Sequence, residues 1–257
     1  MLYVIATPIG NISDISQRAI DVLSKVDFVL CEDTRRTRQL YSALNIPTPQ
    51  LFSYHAHNEE QKLGWAISKI KNGEVAGLVS DAGTPIISDP GMRLVAASHQ
   101  NDVDVRVIPG PCSVVSALCV SGFDATPFHF LGFPPRKKGA QTKWIINASR
   151  LPGTLVLFES GKRIGDLIAN LQNILPNRKA SLCRELTKLH EQIICLPLSE
   201  LPTTQQKGEI VLIVGPGEEY SEKPKPLNSL KDISAALSNL WGVSKREAYN
   251  ILVKNKP

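Results

Sequence analysis

Short apolar runs separated by helical stretches recur through the first 112 residues, and few folds accept that pattern. The runs are "LYVIA", "FVLCE", "QLFSY", "EVAGLVS" and "VDVRVIP". After the first, Ala19, Val22, Leu23 and Val26 share one helical face, with Asp14 and Gln17 at capping-box spacing ahead of it. Leu63, Ala66, Ile67 and Ile70 repeat the pattern, with Asn58 and Gln61 as the analogous cap. Runs that are apolar throughout need cover on both faces. The alternation therefore predicts an α/β chain whose amino-terminal layer is a parallel sheet wrapped by helices.

From about residue 120 to 216 helices become sparser. "FHFLGF", "TLVLFES", "EQIICLPL" and "GEIVLIVG" read as strands, with a helix at "KRIGDLIANLQNIL". That ratio predicts a mixed sheet. At 257 residues the chain exceeds one average domain. The organisation expected is an N-terminal α/β domain over 1–115 and a C-terminal α/β domain over 116–217. A linker, "EEYSEKPKP", follows over 218–226, and then a helical hairpin over 227–257. The hairpin rests on the stripe Leu230, Ile233, Ala236, Leu237 and Leu240, a break at "GVS", and "KREAYNILVKN". It is too small to stand alone and suits a nucleic-acid or dimer contact.

Hydrophobic content of 42% and charged content of 21% are those of a globular chain. No apolar run has the length of a membrane span, and "MLYVIATPIG" lacks the basic region of a signal peptide. Cys31, Cys112, Cys119, Cys183 and Cys195 form no C-x-x-C pair, which points to reduced core thiols and a cytoplasmic location. The net charge of +5 favours a polyanionic partner weakly. Its placement is more informative, in "RRTR" (Arg35 to Arg38), "PPRKKG" (Pro134 to Gly139) and "SKREAYNILVKNK" from Ser244. These clusters matter for nucleic acid only if the fold gathers them; otherwise they are solvated surface.

In a parallel sheet, ligands bind beyond the carboxyl ends of the strands. The segments there are "TPIGN", "EDTRRT", "HAHNE", "DAGTPIISDPG" and "GPCS". Glycine lets backbone approach a ligand closely, and proline fixes φ. Together these loops predict a small-molecule site walled by rigid backbone. No G-x-G-x-x-G or G-x-x-x-x-G-K-[ST] follows a strand, which removes the support for a common dinucleotide site or a P-loop ATPase. His55 and His57 form an H-x-H pair, but no third ligand is evident and no metal is expected.

The segments "TPIGNISDISQRAIDVL", "EDTRRTRQL", "YHAHNE", "SDAGTPIISDPGMRLV", "PGPCSVVSAL", "FLGFPPRKK", "CRELTKLHE" and "KGEIVLIV" closely resemble the tetrapyrrole methylase-like (class III) S-adenosylmethionine-dependent methyltransferases. Within that family the resemblance is to the branch that methylates the 2′-hydroxyl of a cytidine in small-subunit ribosomal RNA. It implies two α/β domains with S-adenosylmethionine in the cleft between them, and a homodimer. The chain departs from the family at Cys112–Ser113 after Pro-Gly-Pro, at "ESGKR" (Glu159 to Arg163), and at "QIICLPLSEL".

By resemblance, the methyl donor meets Pro8, Ile9, Asp81, Gly83, Thr84, Ile87, Cys112, Ser113, Phe158, Gly208 and Glu209. Gly83 and Thr84 would give backbone and hydroxyl contacts. The hydroxyl must lose its proton on attack, and the candidate catalytic residues are Asp33, Asp81, Glu185 and Lys188, the last only if burial neutralises it. Asp33 equally suits a loop-ordering salt bridge with Arg35 or Arg36, and Glu185 a pair with Arg184 or Lys188. RNA contacts are expected from Arg35, Arg36, Arg38, Arg136, Lys137, Lys138, Lys245 and Arg246. Two other readings remain open at this point. One is a methyltransferase acting on a small molecule such as a tetrapyrrole or corrinoid precursor. The other is a non-catalytic RNA-binding assembly factor.

Overall fold

The computed structural model describes residues 1–217, 233–234, 237–238 and 244–254. The chain divides into two compact units, Met1–Gly217 and Glu218–Pro257. The first holds two five-stranded sheets.

The amino-terminal sheet has β1 (Leu2–Ile5), β2 (Phe28–Cys31), β3 (Gln50–Ser53), β4 (Ala76–Val79) and β5 (Val105–Ile108), all parallel in the order β3-β2-β4-β1-β5. Its central strands β2 and β4 are buried at every position, as strands covered on both faces must be. α1 (Gln17–Leu23) and α2 (Thr34–Ala43) cover one face with Ala19, Leu23 and Tyr41. α3 (Glu59–Lys71) and α4 (Met92–Gln100) cover the other with Ala66, Ile67, Ile70 and Leu94.

The carboxyl-terminal sheet is mixed. β6 (Phe128–Phe130) runs parallel to β7 (Thr154–Ser160), while β10 (Glu209–Val214), β8 (Lys179–Arg184) and β9 (Gln192–Pro197) continue antiparallel in the order β6-β7-β10-β8-β9. Strand alternation divides its side chains between two cores. Leu155, Leu157, Leu182, Ile210 and Leu212 meet α6 (Lys138–Ala148) and α7 (Ile164–Ile174). Val156, Cys183, Val211 and Ile213 face Val114, Ala117 and Leu118 of α5 (Ser113–Ser121). α5 follows the last strand of the first sheet yet packs on the second, and Ile9 from the loop after β1 joins the same core. The two layers are thus held by shared apolar burial.

Some local expectations fail. The α1 cap is Ser16, whose Oγ accepts from the Ala19 N–H (3.1 Å), while Asp14 ends a short 3-10 turn (Ile12–Asp14). Asn58 does occupy the α3 cap position, but its Oδ1 accepts from the His55 N–H (2.8 Å), so no capping box forms. Strand β8 and helix α6 had no sequence reading. In the second unit, α8 (Lys245–Lys254) corresponds to the last expected helix. The expected linker 218–226 and most of the preceding stripe lie outside the described residues. Among the described residues, no helix is long and apolar enough to cross a membrane.

Candidate active site

β1 and β4 are neighbours whose connections leave in opposite directions, β1 across β4 to β2 and β4 across β1 to β5. Right-handed crossovers therefore send their helices to opposite faces and leave a crevice above these two strand ends. The loops there are pinned to each other. The Thr7 N–H donates to the Gly83 carbonyl (2.9 Å) and the Gly83 N–H to the Thr7 carbonyl (3.0 Å). The Thr84 hydroxyl donates to the Pro111 carbonyl (3.0 Å), tying the β4 loop to the β5 loop.

The crevice opens into a cleft of ≈ 440 Å³ between the two sheets. One wall is Ile9, Glu32, Arg36, the loop Asp81–Thr84 with Ile87, Ser88 and Asp89, and Cys112–Ser113 at the start of α5. The other comes from Phe133, from Phe158–Ser160 in β7, from Glu185, Leu186 and Lys188 after β8, and from Gly208–Val211. The walls touch where the Asn11 N–H donates to Thr187 Oγ1 (3.1 Å) and where Gly10 packs on Lys188 and Thr187.

Left-handed backbone concentrates around this cleft. Gly83 (φ +81°), Ile86 (+78°), Ser88 (+71°) and Gly91 (+127°) shape the β4 loop, while on the opposite wall Glu185 (+51°) and Thr187 (+66°) shape the turn after β8 and Gly208 (+94°) the entry to β10. For a β-branched residue such as Ile86 this conformation is costly and persists only where the surroundings enforce it. At Gly208 a side chain would meet the Glu185 carboxyl as well, so both conformation and space require glycine.

Charge divides the cleft in two. On the first wall Arg36 pairs with Asp81 (3.2 Å), which also accepts the Asp33 N–H (3.0 Å). Glu32 and Asp89 lie close enough to feel this charge and each other's. Burial, then the Glu32 charge, pushes the Asp89 carboxyl up to about 6. Burial, then Asp81, raises Glu32 too, against the pull of Arg36. On the second wall Lys188 Nζ bridges Glu185 (3.0 Å) and Glu209 (2.9 Å). The Glu209 N–H, aided by Lys188, holds the Glu185 carboxyl below its usual value.

Of the expected catalytic residues, Asp81, Glu185 and Lys188 line the cleft and Asp33 does not. Asp33 caps α2 through the Arg35 N–H (2.8 Å) and takes the Arg35 guanidinium as a fork (3.1 and 2.7 Å), which holds its carboxyl well below the usual range. The loop-ordering alternative is the one realised. The condition set for Lys188 fails: burial pulls its pKa down, but the two carboxylates outweigh that and the net shift is upward, so the ammonium stays charged. Of the expected donor contacts, Ile9, Asp81, Gly83, Thr84, Ile87, Cys112, Ser113, Phe158, Gly208 and Glu209 all line the cleft. Pro8 lines a smaller adjoining hollow instead. The Thr84 proton, committed to Pro111, is not available to a ligand, although the oxygen can accept.

Glu32, Asp89 and Phe133 line the cleft although no ligand role was expected of them, as does Glu159, noted above only for the departing segment it opens. Arg35, Arg38, Arg136, Lys137 and Lys138 are exposed. Arg36 is exposed too but reaches the cleft. Lys245 and Arg246 stand exposed at the start of α8 in the second unit.

Two α/β layers with a ligand-sized cleft at a topological switch point define the class of architecture. The solved structure of uroporphyrin-III C-methyl transferase from Thermus thermophilus, complexed with S-adenyl homocysteine, has the same fold. It superposes with a TM-score of 0.58 at 16% identity, covering 83% of this chain and 96% of that one. Residues 1–202 match the profile of the Tetrapyrrole (Corrin/Porphyrin) Methylases, and the chain belongs to that family. It is 40% identical over 247 residues to "Ribosomal RNA small subunit methyltransferase I" of Vibrio cholerae serotype O1, covering 93% of this chain and 85% of that protein. It is 42% identical over 218 residues to the protein of the same name in Hydrogenobaculum sp., covering 83% and 94%.

Proposed function

We propose that this chain methylates the 2′-hydroxyl of a cytidine in small-subunit ribosomal RNA, in the cytoplasm, with S-adenosylmethionine as donor. The observation that carries the reading is identity of about 40% over nearly the whole chain to proteins named for that RNA.

The cleft suits this donor. Ile9, Ile87 and Phe158 offer apolar surface for a flat adenine, and Gly83 and Gly208 leave bare backbone for polar contacts. Glu32, Asp81 and Asp89 are an excess of negative charge facing the cleft, which a cationic ligand would offset. When bound, S-adenosylmethionine supplies a methyl group already activated on a sulfonium. The protein's contribution is then mainly geometric, since holding reactants in line is worth roughly 7–11 kcal/mol.

Asp89 is the proton acceptor in this reading. Its carboxyl titrates near the operating pH, where a general base is most effective. Asp81, oriented by Arg36 and by the Asp33 N–H, is a positioning carboxylate beside it. Lys188 ties the turn after β8 to Glu209 at the start of β10 and packs against Gly10 of the loop after β1. Arg35, Arg36, Arg38, Arg136, Lys137, Lys138, Lys245 and Arg246 serve phosphates. The homodimer belongs to the same reading. Val115 and Val120 on α5 and Ile193 on the adjoining β9 are exposed apolar side chains that a second copy would cover.

The test uses small ribosomal subunits lacking methylation, free small-subunit RNA and tritiated donor. Label should appear in a dinucleotide resistant to alkali, because a methylated 2′-oxygen cannot attack the neighbouring phosphate. Label on a base, or none on either substrate, refutes the assignment.

A further inference from the structure

Phe133 is 58% exposed yet lines the cleft. An aromatic ring beside an apolar wall ordinarily collapses onto it, because each Å² removed from water stabilises by about 25 cal/mol. Here the backbone limits that collapse. Gly132 before it is left-handed (φ +64°), and its carbonyl accepts the Phe158 N–H (2.9 Å). Pro134 and Pro135 after it stiffen the turn. Arg163 donates to the carbonyls of both prolines (3.1 and 3.4 Å), and its guanidinium lies 3.1 Å from the buried Glu159 carboxylate. That carboxylate oxygen has the charge contact without hydrogen-bond geometry, while the other, Oε1, accepts the Ser160 N–H (2.8 Å). The Phe133 and Phe158 rings meet in a T-shaped, edge-on contact, with centroids 5.5 Å apart and planes at 62°, and a large part of the Phe133 surface stays open. Directly after the turn come Arg136, Lys137 and Lys138, all exposed.

A stacked nucleotide shows its 2′-hydroxyl only along the shallow minor groove, whereas a cleft between two protein layers is reached most directly by a single-stranded nucleotide whose base is splayed out of the stack. Unstacking is costly, and proteins offset it with an aromatic face for the base and cations for the flanking phosphates. We propose that Phe133 is the platform on which the target base stacks, with Arg136, Lys137 and Lys138 receiving the adjoining backbone. This assignment rests on the RNA-methylation reading and adds a positioning residue to it.

The experiment compares wild type with F133A, F133L and F133W. Each is given tritiated donor and unmethylated small subunits, and donor affinity is measured by calorimetry. F133A and F133L should lower kcat/KM for the subunit by roughly 5- to 150-fold, the equivalent of roughly 1–3 kcal/mol of base–aromatic stacking. F133W should keep near-wild-type activity, and the donor Kd should stay within about two-fold throughout. Full activity of F133A, or equal activity of F133L and F133W, overturns the platform. So does a parallel loss of donor affinity, which would assign the ring to the donor's own pocket. If wild type itself transfers no label, the reaction reading fails instead, and the two failures are distinct.

Discussion

Replacing Asp89 by asparagine should make the protein more stable and less active at once. Burial, then the neighbouring Glu32 charge, raises the Asp89 carboxyl from its usual 3.8 to about 6. A folded acid with a raised pKa binds its proton more tightly than the unfolded chain does. Stability is therefore highest at low pH and falls as pH rises through the interval between those two values. The gap of about two units corresponds to roughly 3 kcal/mol at 1.36 kcal/mol per unit. Asp89 is only half-buried, so solvent screening reduces this to about 1–2 kcal/mol. D89N removes the charge that is repelled. At pH 7 it should gain that 1–2 kcal/mol, or about 2–6 °C in Tm, and the gain should vanish near pH 4. Transfer should fall by ~10²–10⁴, and the acid limb of the kcat/KM profile near pH 6 should disappear. Thermal unfolding of both forms from pH 4 to 8, with single-turnover transfer at each pH, reads both effects. A D89N protein no more stable at pH 7, or equally favoured at pH 4, would refute the electrostatic argument. Undiminished transfer would refute the proton-acceptor role.

Further outcomes follow from the same geometry. K188M strips Glu185 and Glu209 of their shared cation, so it should cost about 1 kcal/mol at pH 7 after screening. That difference should close as acid protonates Glu185, whose folded pKa lies below the ordinary value; a constant gap in urea titrations across pH would argue against it. G208A places a methyl against the Glu185 carboxyl at a left-handed φ, so a loss of roughly 1–3 kcal/mol and weakened donor binding are expected; unchanged calorimetry would show that the turn yields. Replacing Arg136, Lys137 and Lys138 together by alanine should flatten the slope of log K against log salt for single-stranded RNA by about two, at ~0.7 per phosphate contact, and an unchanged slope would free this turn from backbone contacts. S-Adenosylmethionine should bind more tightly as Asp89 ionises between pH 5 and 7, whereas the uncharged sulfur of S-adenosylhomocysteine should show a smaller pH slope; equal slopes would place the sulfonium away from these carboxylates.

The amino-terminal layer was legible because its central strands are apolar on both faces and its turns carry glycine and proline. The same logic failed for β8, "KASLCR", whose short apolar stretch is flanked by cations. It becomes a strand by lying between β10 and β9, neighbours supplied from elsewhere in the chain. α6 begins "KGAQTK" and buries little beyond Ile145, Ala148 and Gln141, so no periodic stripe announces it. The rim of the cleft was legible for the reason the strands were: small residues in sequence make bare backbone in space. The carboxylate cluster was not. Glu32 follows β2, and Asp81 and Asp89 follow β4. Only the order of strands in the sheet, with β2 beside β4, brings them to one wall. The available signal was that Glu32 and Asp81 sit directly after a strand's carboxyl end and Asp89 in the long loop after β4, and it becomes specific only once the strand order is known.

The cleft runs against stability in two independent ways. Ile86, Ser88, Glu185 and Thr187 hold left-handed backbone at roughly 1–3 kcal/mol each. Glu32, Asp81 and Asp89 crowd like charges on one wall, with Arg36 the cation paired there. Neither feature would survive on an isolated loop. They persist because the β4 loop is clamped by the reciprocal Thr7–Gly83 hydrogen bonds and by Thr84 on Pro111, and because Ile9 and α5 bury apolar surface against the second sheet. The energy that keeps the cleft strained therefore comes from packing between the layers. Truncating Val114, which packs in that core without lining the cleft, should therefore lower Tm and weaken donor binding together, and a V114A protein with lowered Tm but unchanged donor affinity would refute the coupling. Sites of this kind are specified as much by the core beneath them as by the side chains that face the ligand.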